Sequence, residues 1–164
     1  MRVLGIDPGL NVTGYGIVDS DGEQVRLVET GVVRSDASTP LAVRLNELAR
    51  GVREILDQFR PDAVAVEDLY SHYAHPKTAI IMGHARGIVF FRAAEAGVEV
   101  YQYAATRIKK SLTGNGRASK EQVQLMIKSA FALPCVMEPS DASDALATAL
   151  CHCRTLQNLE GVAS

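Results

Sequence analysis

The chain has 164 residues, which is enough for one domain with a substantial core. Hydrophobic residues make up 47% and charged residues 22%, an ordinary globular profile, and no run approaches the roughly 18 apolar residues that span a bilayer. The net charge of −2 does not by itself indicate a nucleic-acid binder. With no repeat, linker or low-complexity tract, we predict a single domain over residues 1–164 and expect no secretory leader.

Three strands are predicted first, each followed by a turn signal. Residues 2–7 form a short apolar strand that ends at Pro8-Gly9, and residues 13–18 lead into the hairpin former Asp19-Ser20-Asp21-Gly22. Residues 25–33, rich in Val and Leu, complete an antiparallel meander.

Helices and two further strands follow. Ser38-Thr39-Pro40 predicts the cap of a helix that continues to Phe59 with apolar residues at helical spacing. Residues 63–66 are an apolar run that is typical of a strand buried on both faces. The remaining predicted elements are a helix over residues 76–97, a strand over 98–103, a helix over 104–112, a helix that Ser119 and Gln122 begin with a capping box and that runs to Ala132, and a helix that Ser140 caps and that runs to about Leu156.

This order predicts an α/β protein with a mixed five-stranded sheet flanked by helices. Three strands form a hairpin series, and two later strands are reached by helical crossovers. We expect the first and fourth strands to be parallel neighbours at the centre of the sheet.

Four carboxylates are candidates for a single site. Asp7 and Glu67 follow the first and fourth strands, and the carboxyl ends of central strands are where ligands bind. Asp141 and Asp144 are three residues apart in the first turn of the last helix and share a face. An ordinary alternative remains open, in which Asp141 caps its helix, Asp144 is solvated and Asp7 belongs to a turn. Glu67 fits that alternative least, because a carboxylate after an apolar strand needs a partner.

Converging carboxylates repel one another unless cations offset their charge. Hard oxygen ligands suit Mg²⁺ or Mn²⁺. Two such ions roughly 3.5–4 Å apart can activate a water and stabilise the leaving oxygen of a phosphodiester. The four acids therefore predict metal-assisted hydrolysis.

Basic residues are concentrated in one segment of the chain. Residues 69–128 hold nine basic and three acidic residues, a net charge of +6, which leaves −8 for the rest of a chain whose total is −2. Such segregation is expected of a protein that gathers carboxylates around a metal and also binds a polyanion, although a solvated charged face is the alternative. The basic residues are Lys77, Arg86, Arg92, Arg107, Lys109, Lys110, Arg117, Lys120 and Lys128.

Three cysteines are present, an odd number without the spacing of a disulfide framework. We expect reduced thiols in a cytoplasmic protein. Cys151-His152-Cys153 lacks a second ligand pair at the spacing of a zinc site, so we interpret these three as packing or surface residues of a helix.

The order of the motifs resembles the RuvC family of bacterial Holliday junction resolvases. Gly5-Ile6-Asp7-Pro8-Gly9, followed by Thr13-Gly14-Tyr15-Gly16, is similar to the start of that family, and the resemblance covers nearly the whole chain. The further motifs are Ala65-Val66-Glu67, Gly83-His84-Ala85-Arg86-Gly87, Tyr103-Ala104-Ala105, Gly114-Asn115-Gly116, Lys120-Glu121-Gln122-Val123 and the run from Asp141 to Ala147.

The resemblance implies a ribonuclease-H-like fold and a homodimer that makes two symmetric, Mg²⁺-dependent incisions in four-way DNA junctions during recombination and repair. It implies that Asp7, Glu67, Asp141 and Asp144 are the catalytic and metal-binding acids, with two ions in each active site. It also implies partnership with the RuvA and RuvB branch-migration helicase complex. The helix over residues 76–97 contains two glycines that allow close helix approach, and we expect it to contribute to the dimer contact.

DNA contacts are expected on both sides of the acids. Lys109 and Lys120 match the DNA-contacting lysines of the family. Tyr70 falls where the family commonly has Phe, which implies stacking on a base near the opened centre of the junction. Arg107, Lys110 and Arg117 complete a basic group around a glycine-rich loop, which suits contact with phosphates.

Two other functions are compatible with parts of the pattern. The GIDPG start also resembles the first phosphate loop of actin-like ATPases and sugar kinases, but these need two such domains and a second phosphate loop. A non-catalytic junction-binding module of the same fold would not need to retain all four acids.

Overall fold

The apolar run that begins the chain forms the central strand of a five-stranded mixed sheet. The computed structural model describes residues 1–68 and 76–162. Its elements are β1 (Arg2–Asp7), β2 (Val12–Ser20), β3 (Val25–Arg34), α1 (Leu41–Phe59), β4 (Ala63–Glu67), α2 (Pro76–Glu95), β5 (Glu99–Tyr103), α3 (Ala105–Thr113), α4 (Lys120–Ala130) and α5 (Ser140–Val162).

The strand order across the sheet is β3-β2-β1-β4-β5. β1 and β2 are antiparallel, as are β2 and β3, because short turns join them. β4 is parallel to both β1 and β5, and the helices α1 and α2 make the crossovers that parallel strands need. The predicted meander and the predicted parallel pair at the centre of the sheet are both confirmed.

Alternation along the strands assigns each side chain to one of two layers. Ile6 and Val66 belong to the core with buried residues of α1 and α2. Val3 and Ala65 belong to the core with buried residues of α3, α4 and α5. Successive strand residues point to opposite faces, so the short apolar strands supply both cores at once.

The helix α5 lies unusually close to the sheet because glycines face it. A Cβ atom on Gly5 would lie 2.0 Å from the main-chain oxygen of Ala145, and one on Gly14 would lie 2.0 Å from that of Asp141. No side chain fits in these gaps, so glycine is the residue that lets the helix backbone touch β1 and β2.

Several helix boundaries differ from those predicted, and α2 and α4 each end two residues early, at Glu95 and Ala130. Ser38 and Thr39 do not cap α1: both hydroxyls donate to Asp36, and Pro40 is the N-cap residue without a side-chain cap bond. The helix α5 starts at Ser140 itself and continues past the predicted end to Val162, because no helix breaker precedes Gly161. The capping box of Ser119 and Gln122 is confirmed.

The three cysteines lie in two different environments. Cys151, His152 and Cys153 are buried in α5, Cys135 is exposed, and all three thiols are free. The Nδ1 atom of His152 is hydrogen-bonded to the buried hydroxyl of Tyr103 at 2.6 Å. Within the described ranges, no helix combines the length and the apolar character needed to cross a membrane.

Candidate active site

Two of the four predicted acids end neighbouring strands and point the same way. Ile6 and Val66 are partners in the parallel pair of β1 and β4. Both contribute to the core beneath α1 and α2, so the next residues, Asp7 and Glu67, point to the opposite face, where α5 lies. Strand parity alone therefore brings these two carboxylates to one edge and one face of the sheet.

The other two acids are brought to the same place by α5. Asp141 lies in the first turn of this helix, and Asp144 follows one turn later. The backbone of Asp141 rests against Gly14, and Gly14 is the β2 partner of Asp7 in the sheet register. The close approach of α5 thus sets the start of the helix beside the end of β1.

The other three carboxylates affect the pKa of Asp7. Burial, together with repulsion from three neighbouring carboxylates, raises the pKa of Asp7 to about 7. Those neighbours are, in order of effect, Asp144, Asp141 and Glu67, and the ammonium of Lys120 opposes them. Each of the four acids therefore contributes to one shared electrostatic site.

The pKa of Glu67 is raised for similar reasons. Burial is the largest cause, and repulsion from Asp144 adds to it. The charges of Lys109, Lys120 and Arg86 act in the opposite direction and favour the ionised carboxylate. The site therefore holds negative charge at some cost, with cationic side chains at its border.

The acids suit a divalent cation by chemistry but do not form a finished cage. Among residues 1–68 and 76–162, no three His, Cys, Asp or Glu side chains are close enough together to hold a metal ion as they stand. Lys120 Nζ lies 2.8 Å from Asp144 Oδ2, and mutual repulsion holds like charges apart. Carboxylate oxygens are the ligands that Mg²⁺ prefers, and a cation would offset the repulsion.

A cleft of about 220 Å³ joins the acids to the predicted DNA-contacting lysines. Its polar lining consists of Glu67, Asp144, Lys109 and Lys120. Its apolar lining consists of Ala105, Ile108, Val123 and Ala147. Two lysines and two carboxylates thus share one recess, which can hold a negatively charged group next to the acids.

The other predicted DNA contacts have different surroundings. Arg107 packs over the ring of Tyr103 at 5.3 Å from its centre and donates to Thr155 Oγ1 at 3.3 Å. Lys110 and Arg117 are exposed. Tyr70 lies outside the residues that the structure describes.

Sequence analysis named Arg86 as one charge of the basic segment and as part of the motif Gly83-His84-Ala85-Arg86-Gly87, without a role at the site, but the structure places it there. Its guanidinium is buried and donates to the main-chain oxygen of Glu67. The sequence signal is an arginine beside the buried face of α2, where Ala85, Val89 and Ala93 recur at helical spacing.

The sheet order and the helices on both faces define an α/β protein of the ribonuclease-H-like class. The family model of the crossover junction endodeoxyribonuclease RuvC matches residues 3–152. The chain belongs to this RuvC family, so the predicted fold class, family and endonuclease class are confirmed.

Individual relatives show the extent of the similarity. The crossover junction endodeoxyribonuclease RuvC of Rhodopirellula baltica is 49% identical over 149 residues, which is 91% of this chain and 84% of that protein. The corresponding protein of Paramagnetospirillum magneticum is 46% identical over 93% of this chain and 90% of its own length. The structure of Thermus thermophilus RuvC in complex with a Holliday junction substrate has a TM-score of 0.90 and 39% identity, and covers 96% of each chain.

Proposed function

We propose that this chain resolves four-way DNA junctions by hydrolysing one phosphodiester bond in each of two opposing strands, during recombination and repair. The observation that carries the proposal is the convergence of Asp7, Glu67, Asp141 and Asp144 beside a cleft with two lysines. The similarity to a relative whose structure contains a Holliday junction substrate supports the choice of DNA.

The four acids are proposed to hold Mg²⁺, with Mn²⁺ as a substitute and two ions in each active site. Carboxylate oxygens in a partly buried cluster match the ligand preference of these cations. When bound, such ions activate water and offset charge on the leaving oxygen of a phosphodiester.

The basic side chains are proposed to place the DNA. Lys109 and Lys120 line the cleft with the acids and are positioned to bind phosphate oxygens there. Lys120 also opposes the rise in the pKa of Asp7 and Glu67, so its charge favours the ionised carboxylates that bind cations. Arg107, Lys110, Arg117 and the stacking residue Tyr70 are proposed to contact the arms and centre of the junction.

Asp7→Asn tests the active site. The variant should bind a synthetic four-way junction as tightly as the original protein does but lose cleavage by at least about a hundredfold, since one carboxylate of the cation site is gone. The measurements are gel-shift affinity in Ca²⁺ and single-turnover cleavage in Mg²⁺.

The matched control is Asp19→Asn, which removes a carboxylate that pairs with Arg2 and lies outside the cleft. It should cleave at the original rate. A linear duplex of the same sequence should resist the protein, which separates a resolvase from a general nuclease. If Asp7→Asn still nicks junctions, the site is assigned wrongly.

We also propose that two copies act together through α2. Ile80 and Phe91 of this helix are 61% and 55% exposed, and a Cβ on Gly83 or Gly87 would meet no atom within 4 Å. A two-fold dimer would present equivalent active sites to the opposing strands of a junction with two-fold symmetry.

The remaining proposals concern the setting of the reaction. We propose that residues 1–164 work as a single domain, because both cores pack on one sheet. The DNA is proposed to reach the enzyme in the cytoplasm through the RuvA and RuvB branch-migration helicase complex.

A further inference from the structure

Arg86 lies in the middle of α2 and is only 6% exposed. Removing a guanidinium from water is costly unless every donor finds a partner, so the partners of a buried arginine indicate what it holds in place. Among residues 1–68 and 76–162, its partners include groups at the end of β4, on β5 and on α2 itself.

The planar guanidinium links two strands with separate donors. Nη1 donates to the main-chain oxygen of Glu67, and Nη2 donates to Oε1 of Gln102. Nη2 also lies 3.5 Å from Oδ1 of Asp68, and the carbon centre of the group lies 4.7 Å from the centre of the Phe90 ring. An ammonium group could not reproduce this fork, because it is a compact point charge.

These contacts fall where the sheet delivers Glu67 to the active site. Glu67 is the last residue of β4 and pairs with Tyr103, next to Gln102 on β5. The amide of Asp68 donates to the main-chain oxygen of Tyr103 at 2.8 Å, so β4 stays attached to β5 as it ends. The Arg86 bond to the carbonyl of Glu67 fixes the last peptide unit from the side of α2.

We propose that Arg86 is a positioning residue for catalysis. It holds the main chain of Glu67 against α2 and β5, and so sets the direction in which the Glu67 carboxylate enters the cation site. This inference rests on the proposed role of Glu67 as a metal-binding acid. Arg86 acts through Glu67 rather than on DNA.

Arg86→Met tests this role against the matched control Arg92→Met. Arg92 lies on the same helix, donates to the main-chain oxygen of Ala49 and to Glu95, and ties α2 to α1 rather than to the active site. Arg86→Met should lower single-turnover cleavage of a saturating junction by about 10- to 100-fold, the usual effect of losing a residue that orients a metal ligand. Arg92→Met should change the cleavage rate by no more than about twofold, because Arg92 does not contact the residues of the active site.

Metal binding supplies a readout that is independent of cleavage. Isothermal titration calorimetry with Mn²⁺ in the absence of DNA should show weaker binding to Arg86→Met and unchanged binding to Arg92→Met. Junction affinity in Ca²⁺ and the sedimentation coefficient should match the original protein in both variants. Arg86→Lys keeps the positive charge but loses the forked guanidinium. On a logarithmic scale, its cleavage rate should therefore lie closer to that of Arg86→Met than to that of the original protein.

Gln102→Ala tests the same link through an exposed residue, whose truncation leaves folding intact even if Arg86→Met folds poorly. It should reduce cleavage in the same direction but less, and it should add nothing to Arg86→Met, because both changes break one connection. The proposal is overturned if Arg86→Met resembles Arg92→Met, if Mn²⁺ binding is unchanged, or if the double variant is simply additive. Normal cleavage by Glu67→Gln would instead refute the assignment of the active site.

Discussion

At the scale of single residues, Asp7 shows how unfavourable it is to bury several carboxylates together in the candidate active site. Its pKa of about 7 compares with 3.8 for an ordinary aspartate, because the carboxylate is buried next to three others. A folded state with the higher pKa binds the proton more tightly than the unfolded state does. The contribution of Asp7 to stability is therefore fully present below about pH 4 and is lost as the pH rises to about 7.

We predict that Asp7→Asn stabilises the metal-free protein at pH 8, by on the order of 1–3 kcal/mol, and has little effect at pH 4. The reason is that the amide removes a charge that the folded state holds at a cost. Thermal unfolding in the presence of a chelator, at both pH values, measures the effect. Added Mg²⁺ should reverse the order at pH 8, because only the original protein retains the complete site.

Asp19→Asn is the control of opposite sign. Arg2 lowers the pKa of Asp19 through a hydrogen-bonded ion pair, so this carboxylate favours the folded state above its ordinary pKa. The variant should therefore be the less stable protein at pH 8. A metal-free Asp7→Asn variant that unfolds below the original protein at pH 8 would contradict the repulsion argument.

Local pattern predicts some residues of the site and not others. Asp7 and Glu67 could be predicted from the sequence because each follows an apolar strand, and the alternation of strand side chains determines which face they reach. The position of Arg86 at the site could not be predicted, because its partners lie on β4 and β5 and the spacing of residues within α2 does not reveal them. The assignment of the four acids and the DNA contacts as functional residues stays a prediction until the variants are measured.

At the scale of elements, the docking of α5 on the sheet assembles the site. Gly14 faces the backbone of Asp141, and main-chain atoms cannot turn aside as a flexible side chain can. The missing Cβ of Gly14 therefore allows the start of α5 to lie against β2, where Lys120 also pairs with Asp144.

Gly14→Ala should push the start of α5 away from Asp7. A methyl group 2.0 Å from a main-chain oxygen forces a backbone shift, with an expected loss of about 2–4 kcal/mol in the free energy of unfolding. Cleavage should fall further than stability alone explains, since Asp141 and Asp144 move with the helix. Chemical denaturation and single-turnover cleavage of the folded fraction measure the two effects.

Gly31→Ala is the matched control in the neighbouring strand. Its new methyl group would meet the ring and hydroxyl of Tyr15, a side chain that can turn aside. Its loss of stability should be smaller and its cleavage close to normal. Equal effects of the two substitutions would show that the approach of α5 is not what orders the acids.

The order of the elements was predictable, and several of their ends were not. The strands and helices could be predicted from the period of their hydrophobic residues. The turn at Gly22 could be predicted because glycine readily adopts a positive φ, which is 97° here. The start of α1 depends on whether Ser38 and Thr39 bond forward to the helix or back to Asp36, which local sequence leaves open.

At the scale of the whole molecule, the proposed dimer contact rests on exposed apolar residues of α2. Buried residues of α2 face the sheet, while Ile80 and Phe91 remain in solvent. Large apolar side chains exposed on one helix are candidates for a contact surface.

Ile80→Glu should shift the protein toward monomer at micromolar concentration, because a carboxylate at the centre of a two-fold contact meets its own copy and loses water. Sedimentation velocity measures the shift, and cleavage of both strands within one encounter should decline with it. Leu125→Glu is the control, since Leu125 is 57% exposed on α4 and belongs to the opposite layer. A dimer that survives Ile80→Glu unchanged would place the contact elsewhere.

Charge segregation has a more limited meaning than the sequence suggested. Several of the nine basic residues in the segment 69–128 make contacts within the fold: Arg86 is bound to β4 and β5, Arg92 to α1, and Arg107 to Thr155 of α5. Lys109 and Lys120 are the ones that border the acids. A count of charges identifies a candidate polyanion surface but does not separate contacts from internal supports.

The way in which α5 completes the site has a consequence for biosynthesis. A ribosome releases Asp7 and Glu67 long before it translates Asp141 and Asp144. A nascent chain, or a fragment truncated ahead of α5, therefore holds only half of the carboxylates and leaves Gly5 and Gly14 uncovered. On the proposed assignment of the active site, we expect nuclease activity only after the last helix has docked, so an unfinished chain should not cut DNA.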